Sequence, residues 1–209
     1  MEDVLEVYQQ AYDPSRPVVC LDEKAVMLHD TPRGAHPAAP RRPRRQDYEY
    51  RRAGTANIFL ALEPLTGWSG TRVHARRTSH DCAEVLRWLA EEVYPEAAKL
   101  VLVTDNLNTH SPAALYRRYA PEVARRIARR IEWHYTPEHG SWLNMAEIAL
   151  SVLGRQCLRR RLASQQQLVQ AVCAWQLQRQ AAPHCVRWQF TTADARIKLR
   201  SLYPELLHN

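Results

Sequence analysis

The chain has 209 residues, 45% of them hydrophobic, which is enough for one well-packed domain. Its 29 Lys and Arg against 22 Asp and Glu give a net charge of +7. This excess favours a polyanionic partner, although a merely solvated basic surface is the alternative. The start of the chain does not resemble a signal peptide, and no apolar stretch is long enough to span a membrane. The five scattered cysteines indicate neither a zinc site nor a disulfide framework, so a reducing, cytosolic setting is expected.

The elements are predicted in chain order from hydrophobic pattern and turn residues. Residues 1–16 are short and polar, and we expect them to form an amino-terminal stub or linker. The apolar run 17–22 predicts a buried strand that ends in Asp22. Residues 30–47 are rich in Pro and Arg, which is typical of an exposed loop.

The rest of the chain alternates between strand and helix patterns. Strands are predicted at 57–62, 68–74, 100–104 and 131–135, and helices at 82–93, 112–119, 121–130 and 164–182. Another helix carries Glu147, and Ser141 is expected to cap it. Short early connections favour antiparallel pairing, and the later alternation favours parallel strands covered by helices. The predicted fold class is therefore α/β, with a mixed sheet flanked by helices.

Three carboxylates lie in apolar surroundings. Asp22 and Asp105 each end an apolar run, and Glu147 lies on a helix stripe with Leu143 and Leu150 that is expected to face the sheet. Ligands gather at the carboxyl ends of strands in such sheets, so the three side chains are expected to converge. Carboxylates suit hard divalent cations, and two ions roughly 3.5–4 Å apart support in-line phosphodiester chemistry. The alternatives are a turn or cap role for each aspartate and an arginine partner for Glu147.

Three segments carry a family resemblance: LDEK at 21–24, VTDNLNTH at 103–110 and YTPEHGSWLNMAE at 135–147. Together they resemble the DDE transposases, and most of all the bacterial insertion-sequence branch of the mariner superfamily. The likeness covers roughly residues 17–200, which defines the predicted catalytic domain, and leaves 201–209 as a tail.

The resemblance implies a ribonuclease-H-like fold and a transposase that cleaves DNA and transfers the freed strand. It assigns Asp22, Asp105 and Glu147 as the catalytic, metal-binding triad for two Mg²⁺ ions, for which Mn²⁺ is expected to substitute. Four further residues are implied to line or brace the site: Asn106, His110, His139 and Asn144. Turn, cap and surface-loop roles are the alternatives for the first three.

The resemblance also implies partners and a place of action. These are double-stranded DNA (transposon ends and target), a second copy of the chain in a homodimer, and the bacterial cytoplasm at the nucleoid. Full-length relatives carry helix-turn-helix modules before the catalytic domain. Only 21 residues precede Asp22, so end-specific transposition by this chain alone is not expected.

Basic side chains are expected to hold the DNA backbone, which adds affinity without reading sequence. The candidates are Arg155, Arg159, Arg160, Arg161, Arg125 and Arg129, together with the loop residues Arg41, Arg42, Arg44 and Arg45. For the loop, a solvated segment is the alternative. Trp142 is expected to stack on a base or to pack under the site. Two rival functions stay open: a metal-dependent nuclease of the same fold that does not join strands, and a non-catalytic DNA-binding module derived from a transposase.

Overall fold

A computed structural model describes residues 1–32, 35–36, 38–43, 45–46 and 48–200, with the backbone alone at 35, 36, 45 and 46. Its centre is a mixed five-stranded sheet with the order β5-β4-β1-β6-β7. The strands are β1 (Val18–Asp30), β4 (Arg51–Glu63), β5 (Trp68–His74), β6 (Leu100–Thr104) and β7 (Ile131–Tyr135), and a separate small pair is formed by β2 (Ala35–His36) and β3 (Arg45–Gln46). The first three long strands pair antiparallel, and β1, β6 and β7 pair parallel, which confirms the predicted mixed sheet.

Helices cover both faces of the sheet. They are α1 (Glu2–Gln9), α2 (Ser79–Arg87), α3 (Pro112–Arg118), α4 (Pro121–Ala128), α5 (Ala146–Gln156), α6 (Gln165–Ala181) and α7 (Thr192–Lys198). A π-helical turn, Trp88–Val93, prolongs α2, and a 3₁₀ turn, Ser141–Leu143, precedes α5. No helix of the described residues is long and apolar enough to cross a membrane.

Alternate residues of the strands build two separate cores. Cys20, Leu60 and Val103 pack with α1, α5 and α6 on one face of the sheet. Their neighbours Leu21 and Leu102 pack with α2, α3 and α4 on the other. This follows from the two-residue period of a strand, and it makes the face of any strand residue readable from its neighbours.

The first residues of the chain do not form the polar stub that the sequence pattern predicts. Helix α1 buries Val4, Leu5 and Val7 in the core shared with α5 and α6. The hydroxyl of Tyr8 donates a 2.7 Å hydrogen bond to the carbonyl oxygen of Leu143. The apolar positions at helical spacing bury this segment although its average composition is polar.

Asp22 is not at the end of its strand, as was predicted, because β1 continues to Asp30 by pairing with β4. The parallel pairing with β6 is shorter and ends at Cys20, opposite Val103. The predicted loop at 30–47 therefore begins as strand. Residues 38–43 are exposed, whereas Arg44 and the side chain of Arg45 lie outside the described residues.

The turn between β4 and β5 needs glycine at Gly67. Its φ is +74°, and an added Cβ would lie 2.8 Å from the backbone of His184. The amide of Val186 donates to the carbonyl oxygen of Pro64 at 2.7 Å, so the segment after α6 is packed against this turn.

Candidate active site

Asp22 lies within β1, and Asp105 directly follows the neighbouring strand β6. Each follows by two residues the last position at which β1 and β6 pair with each other, which is Cys20 opposite Val103. Since side chains two apart in a strand share a face, Asp22 faces the same side as Cys20, which is the side of α5. The negative charge of Asp105 contributes to raising the pKa of Asp22, so the two carboxylates interact although they are distant in sequence.

The charge on Asp22 is costly in this position. Burial is the largest cause and raises the pKa of its carboxyl to about 7. The backbone amide of Glu23 donates to Oδ1 at 2.7 Å and lowers the pKa, but the negative charges of Glu147 and Asp105 raise it further. All three predicted triad members therefore interact electrostatically, and the uncompensated charge among them is negative.

Glu147 lies in the first turn of α5, and its side chain is exposed to solvent. The predicted stripe facing the sheet is wrong in this respect: Leu143 and Leu150 are buried, whereas Glu147 is exposed. The expected cap is also wrong, because the residue that precedes α5 is Met145 and no side chain caps the helix. A 3₁₀ turn over Ser141–Leu143 takes the place of the predicted first helical turn.

Asn144 joins the start of α5 to the first strand. It is 2% exposed, and its Nδ2 donates to the carbonyl oxygen of Leu21 at 2.8 Å. Its Oδ1 accepts a hydrogen bond from the amide of Ala146 at 3.1 Å. This places Asn144 between the strand that carries Asp22 and the helix that carries Glu147.

His110 and Glu23 form a buried ionic chain behind Asp105. Nδ1 of His110 contacts Oδ1 of Asp105, and Nε2 lies 2.7 Å from Oε2 of Glu23. The side chains of His110 and Glu23 are 1% and 3% exposed. Burial by itself lowers the pKa of His110, but the hydrogen bonds and charges of Asp105 and Glu23 outweigh it and raise the pKa to about 10. His110 is therefore a cation at neutral pH that holds one oxygen of Asp105.

Glu23 is the residue of this site that sequence reasoning missed. It points to the opposite face of β1 from Asp22, where a charge is unexpected among Leu21 and Phe59. One signal was available in the sequence: Glu23 is a charged residue on the strand face that Leu21 otherwise makes apolar. Its partner His110, however, is far away in sequence. No local pattern pairs the two.

Two of the predicted supporting residues do not make such contacts. Asn106 is exposed in the segment after β6. The side chain of His139 is 92% exposed, and its backbone is left-handed with a φ of 59°. His139 therefore occupies a surface loop, which was the alternative for this residue, and the structure shows no bracing contact for either side chain.

The donor chemistry of the site fits a divalent cation. The described hydrogen bonds engage only Oδ1 of Asp22 and Oδ1 of Asp105, and Glu147 faces solvent. Hard cations prefer such carboxylate oxygens, and they would offset the repulsion that raises the pKa of Asp22. Among the described residues, however, no three His, Cys, Asp or Glu side chains are grouped as a ready metal cluster. The residues match the cation in kind and charge.

The predicted DNA-contacting arginines lie on two different surfaces. Arg155 is exposed near the end of α5, whereas Arg159 and Arg160 are exposed beyond that end, so Arg155 and Arg159 do not share a helix as was expected. Arg161 donates to the carbonyl oxygens of Tyr48 and Glu49, at 3.0 Å each.

Arg125 and Arg129 are exposed on and just after α4, on the opposite side of the sheet. The neighbouring Arg126 and Arg130 instead make contacts within the protein. Arg126 forms an ion pair with Glu91 at 2.7 Å, and Arg130 donates to the backbone around Ala90.

Trp142 is 46% exposed beside the site. Its ring stacks on that of Trp188, with centroids 6.2 Å apart, and Phe190 packs edge-on at 5.9 Å. The structure thus gives it a packing role on one side and leaves the other side to solvent.

A mixed sheet of this order with acidic side chains gathered beside its parallel strands is consistent with the ribonuclease-H-like class of nucleic-acid enzymes. Residues 17–169 match the family described as DDE superfamily endonuclease. The chain belongs to this family, whose domains act on DNA and generally use divalent metal ions. No curated protein matches the chain.

Proposed function

We propose that the chain is the catalytic domain of a transposase, which cleaves a DNA strand and joins the freed 3′-OH end to target DNA. The observation that supports the proposal is that the charges of Glu147 and Asp105 both contribute to raising the pKa of Asp22, which lies two residues beyond the end of the β1–β6 pairing. Membership of the DDE endonuclease family supports cleavage of DNA. The mariner-like insertion-sequence branch, action at the bacterial nucleoid and a homodimeric state remain part of this proposal.

Asp22, Asp105 and Glu147 would hold two Mg²⁺ ions, with Mn²⁺ as a substitute. Such ions supply an activated water and neutralise charge on the attacking and leaving oxygens. The chain's own residues position these ligands: His110 fixes one oxygen of Asp105, and Asn144 fixes the start of α5.

Cleavage forms a bond between phosphorus and the attacking oxygen and breaks the bond to the 3′ oxygen. In joining, the 3′-OH attacks a target phosphodiester and displaces another 3′ oxygen. One phosphodiester bond replaces another, so the joining step needs no further reactant. The arginines hold the backbone in place by phosphate contacts.

The alternative function is that of a nuclease that cuts DNA without joining strands. The description of the family as an endonuclease is compatible with this alternative. A strand-transfer assay separates the two. A labelled duplex with a pre-cleaved 3′-OH end is incubated with supercoiled plasmid and Mg²⁺ or Mn²⁺. Label in the plasmid supports the transposase, whereas nicked plasmid without label supports the nuclease.

The site itself is tested by Asp105→Asn and Glu147→Gln. Both are expected to reduce cleavage and joining at least a hundredfold while the protein stays folded. Glu138→Gln is a matched control, because Glu138 is 91% exposed in the nearby loop. Unchanged activity of both site variants would support the non-catalytic module and refute the assignment.

Cation binding gives a second readout that does not depend on the DNA substrate. Mn²⁺ is expected to raise the Tm of the wild-type protein, since a ligand that binds only the folded state stabilises it. The shift should disappear in Asp22→Asn and persist in Glu138→Gln. An equal shift in all three proteins would place the ion elsewhere.

A further inference from the structure

The positive charge of the chain is concentrated in one stretch of sequence. Residues 148–193 contain six arginines and no Asp or Glu, so they account for +6 of the net charge of +7. This stretch includes most of α5, the segment after it, and all of α6. The remaining chain is nearly neutral overall, so a polyanion is expected to be attracted to the surface formed by this stretch.

In the structure this stretch forms a groove between the end of α5 and α6. Two cavities, of about 690 and 570 Å³, share Arg159, Arg160, Ala171 and Ala174 in their walls. They are therefore parts of one continuous depression. None of the described residues that line either cavity is acidic.

The floor of the groove is formed by small side chains, and its walls carry arginines. Ala171 and Ala174 lie on one side of α6, so a ligand backbone can approach that helix closely. At one end, Arg161 is held in place by two backbone carbonyl groups. At the other end, the guanidinium of Arg179 lies 5.3 Å from the ring of Trp175.

Two of the arginines in the groove wall make no polar contact with the described part of the protein, and a third is only partly satisfied. Within the described residues, no hydrogen bond or ion pair engages Arg159 or Arg160. Nε of Arg179 is buried without a hydrogen-bond partner, and an orphaned buried donor is costly unless a ligand satisfies it. By contrast, Arg118 and Arg126 on the other face of the sheet form ion pairs with Glu84 and Glu91.

The groove also lies on the side of the sheet to which Asp22 points, since α5 and α6 pack on the same face as Cys20. Helix α5 connects the two sites, with Glu147 in its first turn and Gln156 at its last residue, in the groove wall. Nine residues of helix span about 14 Å. Successive phosphates of one strand advance about 3.4 Å along the axis of duplex DNA, so a duplex whose axis runs along α5 covers this span in about four base pairs.

We infer that this α5–α6 groove binds the phosphate backbone of the DNA strand whose end occupies the carboxylate site. The inference rests on the proposed function for the identity of the polyanion. It selects one of the two predicted arginine surfaces: DNA contacts Arg159, Arg160 and Arg179, and not Arg125 and Arg129 on the opposite face.

Binding is measured with the full chain carrying Asp105→Asn, without metal, on a fluorescent duplex that ends in a 3′-OH. Arg159→Gln, Arg160→Gln and Arg179→Gln are combined in one variant. It is expected to bind at least tenfold more weakly at low salt, with a plot of log affinity against log salt that is shallower by roughly 2 to 3. The matched control combines Arg76→Gln, Arg77→Gln and Arg117→Gln, which are exposed and remove equal charge; less than a twofold change is expected.

Two further variants separate shape and location from charge. Ala174→Trp fills the floor without changing charge and is expected to weaken binding at least fivefold. Arg125→Gln with Arg129→Gln is expected to have little effect. Equal losses in the groove and control variants, a dominant effect of the Arg125 and Arg129 pair, or unchanged binding by Ala174→Trp would each overturn the inference. Tm measurements on every variant identify a loss that comes from unfolding.

A neutral methylphosphonate placed three to five nucleotides from the 3′-OH end gives a positional test. It should weaken binding by the parent protein and leave the groove variant unaffected. Because these assays measure binding alone, they can fail while strand transfer succeeds. Equally, the groove can bind DNA in a protein that shows no cleavage, so failure of the inference and failure of the proposed function are distinguishable.

Discussion

Asn144 and Leu21 are joined by a 2.8 Å hydrogen bond from Nδ2 to the carbonyl oxygen. Leu21 directly precedes Asp22, and Asn144 directly precedes the residues that start α5. One buried amide therefore couples the positions of two carboxylates that come from different elements of the fold.

Asn144→Ala is expected to remove this coupling. It leaves the Leu21 carbonyl group and the Ala146 amide without their partner, at a cost of about 2 kcal/mol in the free energy of unfolding. Cleavage should fall by more than the stability loss explains, on the order of a hundredfold, because small displacements of reacting groups are costly. Urea unfolding and cleavage rates at a temperature where the variant is folded measure both. Gln166→Ala, on the exposed side of α6, is the control; a stable variant with wild-type cleavage would contradict the bracing role.

Asp22 should make the metal-free protein less stable as the pH rises. Its pKa is about 7 in the folded state against an ordinary value of 3.8, so the folded state holds the proton more tightly. The stabilisation from this proton is complete below pH 3.8 and is lost as the pH rises to about 7. Asp22→Asn cannot titrate and is expected to have the higher Tm near pH 7 in the absence of metal.

Thermal unfolding of both proteins between pH 4 and pH 8 tests the sign. The difference in Tm should grow in favour of Asp22→Asn as the pH rises. Mn²⁺ should reverse the order at pH 7.5, because the cation stabilises only the protein that retains the carboxylate. Parallel pH profiles in the absence of metal would contradict the proposed cost of the Asp22 charge.

The ionic chain of Asp105, His110 and Glu23 predicts a second pH range in which the stability of the protein changes. The pKa of His110 is about 10 in the folded state against an ordinary value of 6.5. Its contribution to stability is therefore complete below pH 6.5 and is lost as the pH rises towards 10. His110→Gln should lose this part of the pH dependence when its unfolding free energy is compared with that of the wild type.

Glu23→Gln tests the same chain from the other end. It leaves a buried histidine with one anionic partner instead of two, which should cost on the order of 3 kcal/mol in unfolding free energy. The NMR titration of His110 in this variant should show a lower pKa. Glu96→Gln, which is exposed, is expected to change neither quantity. An unchanged His110 titration in Glu23→Gln would refute the ionic chain.

Because Tyr8 is buried and hydrogen-bonded to Leu143, we expect the amino-terminal helix α1 to be needed for stability. Tyr8→Phe removes the 2.7 Å hydrogen bond to Leu143, and should lower the unfolding free energy by about 1 kcal/mol. Tyr12→Phe is the matched control, because Tyr12 is 52% exposed. Deletion of residues 1–9 exposes the core beneath Val4 and Leu5 and should abolish cooperative unfolding in urea; a deletion variant as stable as the full chain would restore the stub prediction.

The short strands and most helices were predictable because each is a local pattern, whereas β1 and β4 each have 13 residues and extend well beyond the predicted runs. The apolar runs at 100–104 and 131–135 and the helix at 164–182 match observed elements to within one residue at each end. The parallel pairing of β1 with β6 was likewise predictable, but the continuation of β1 past Asp22 to Asp30 was not. Helix α1 was missed because a short segment of polar composition shows its buried stripe only when a partner surface is known.

By itself, the sequence determined the α/β class, the mixed sheet and two of the acidic positions, because hydrophobic periodicity decides which residues are buried. Only the tertiary structure decided that Glu147 is exposed, that Glu23 contacts His110, and that Arg159, Arg160 and Arg179 border one groove. Those outcomes depend on strand register and helix placement, which arise from packing between distant segments. Local patterns indicate which residues of a segment are buried, but they do not indicate which other segment of the chain buries them.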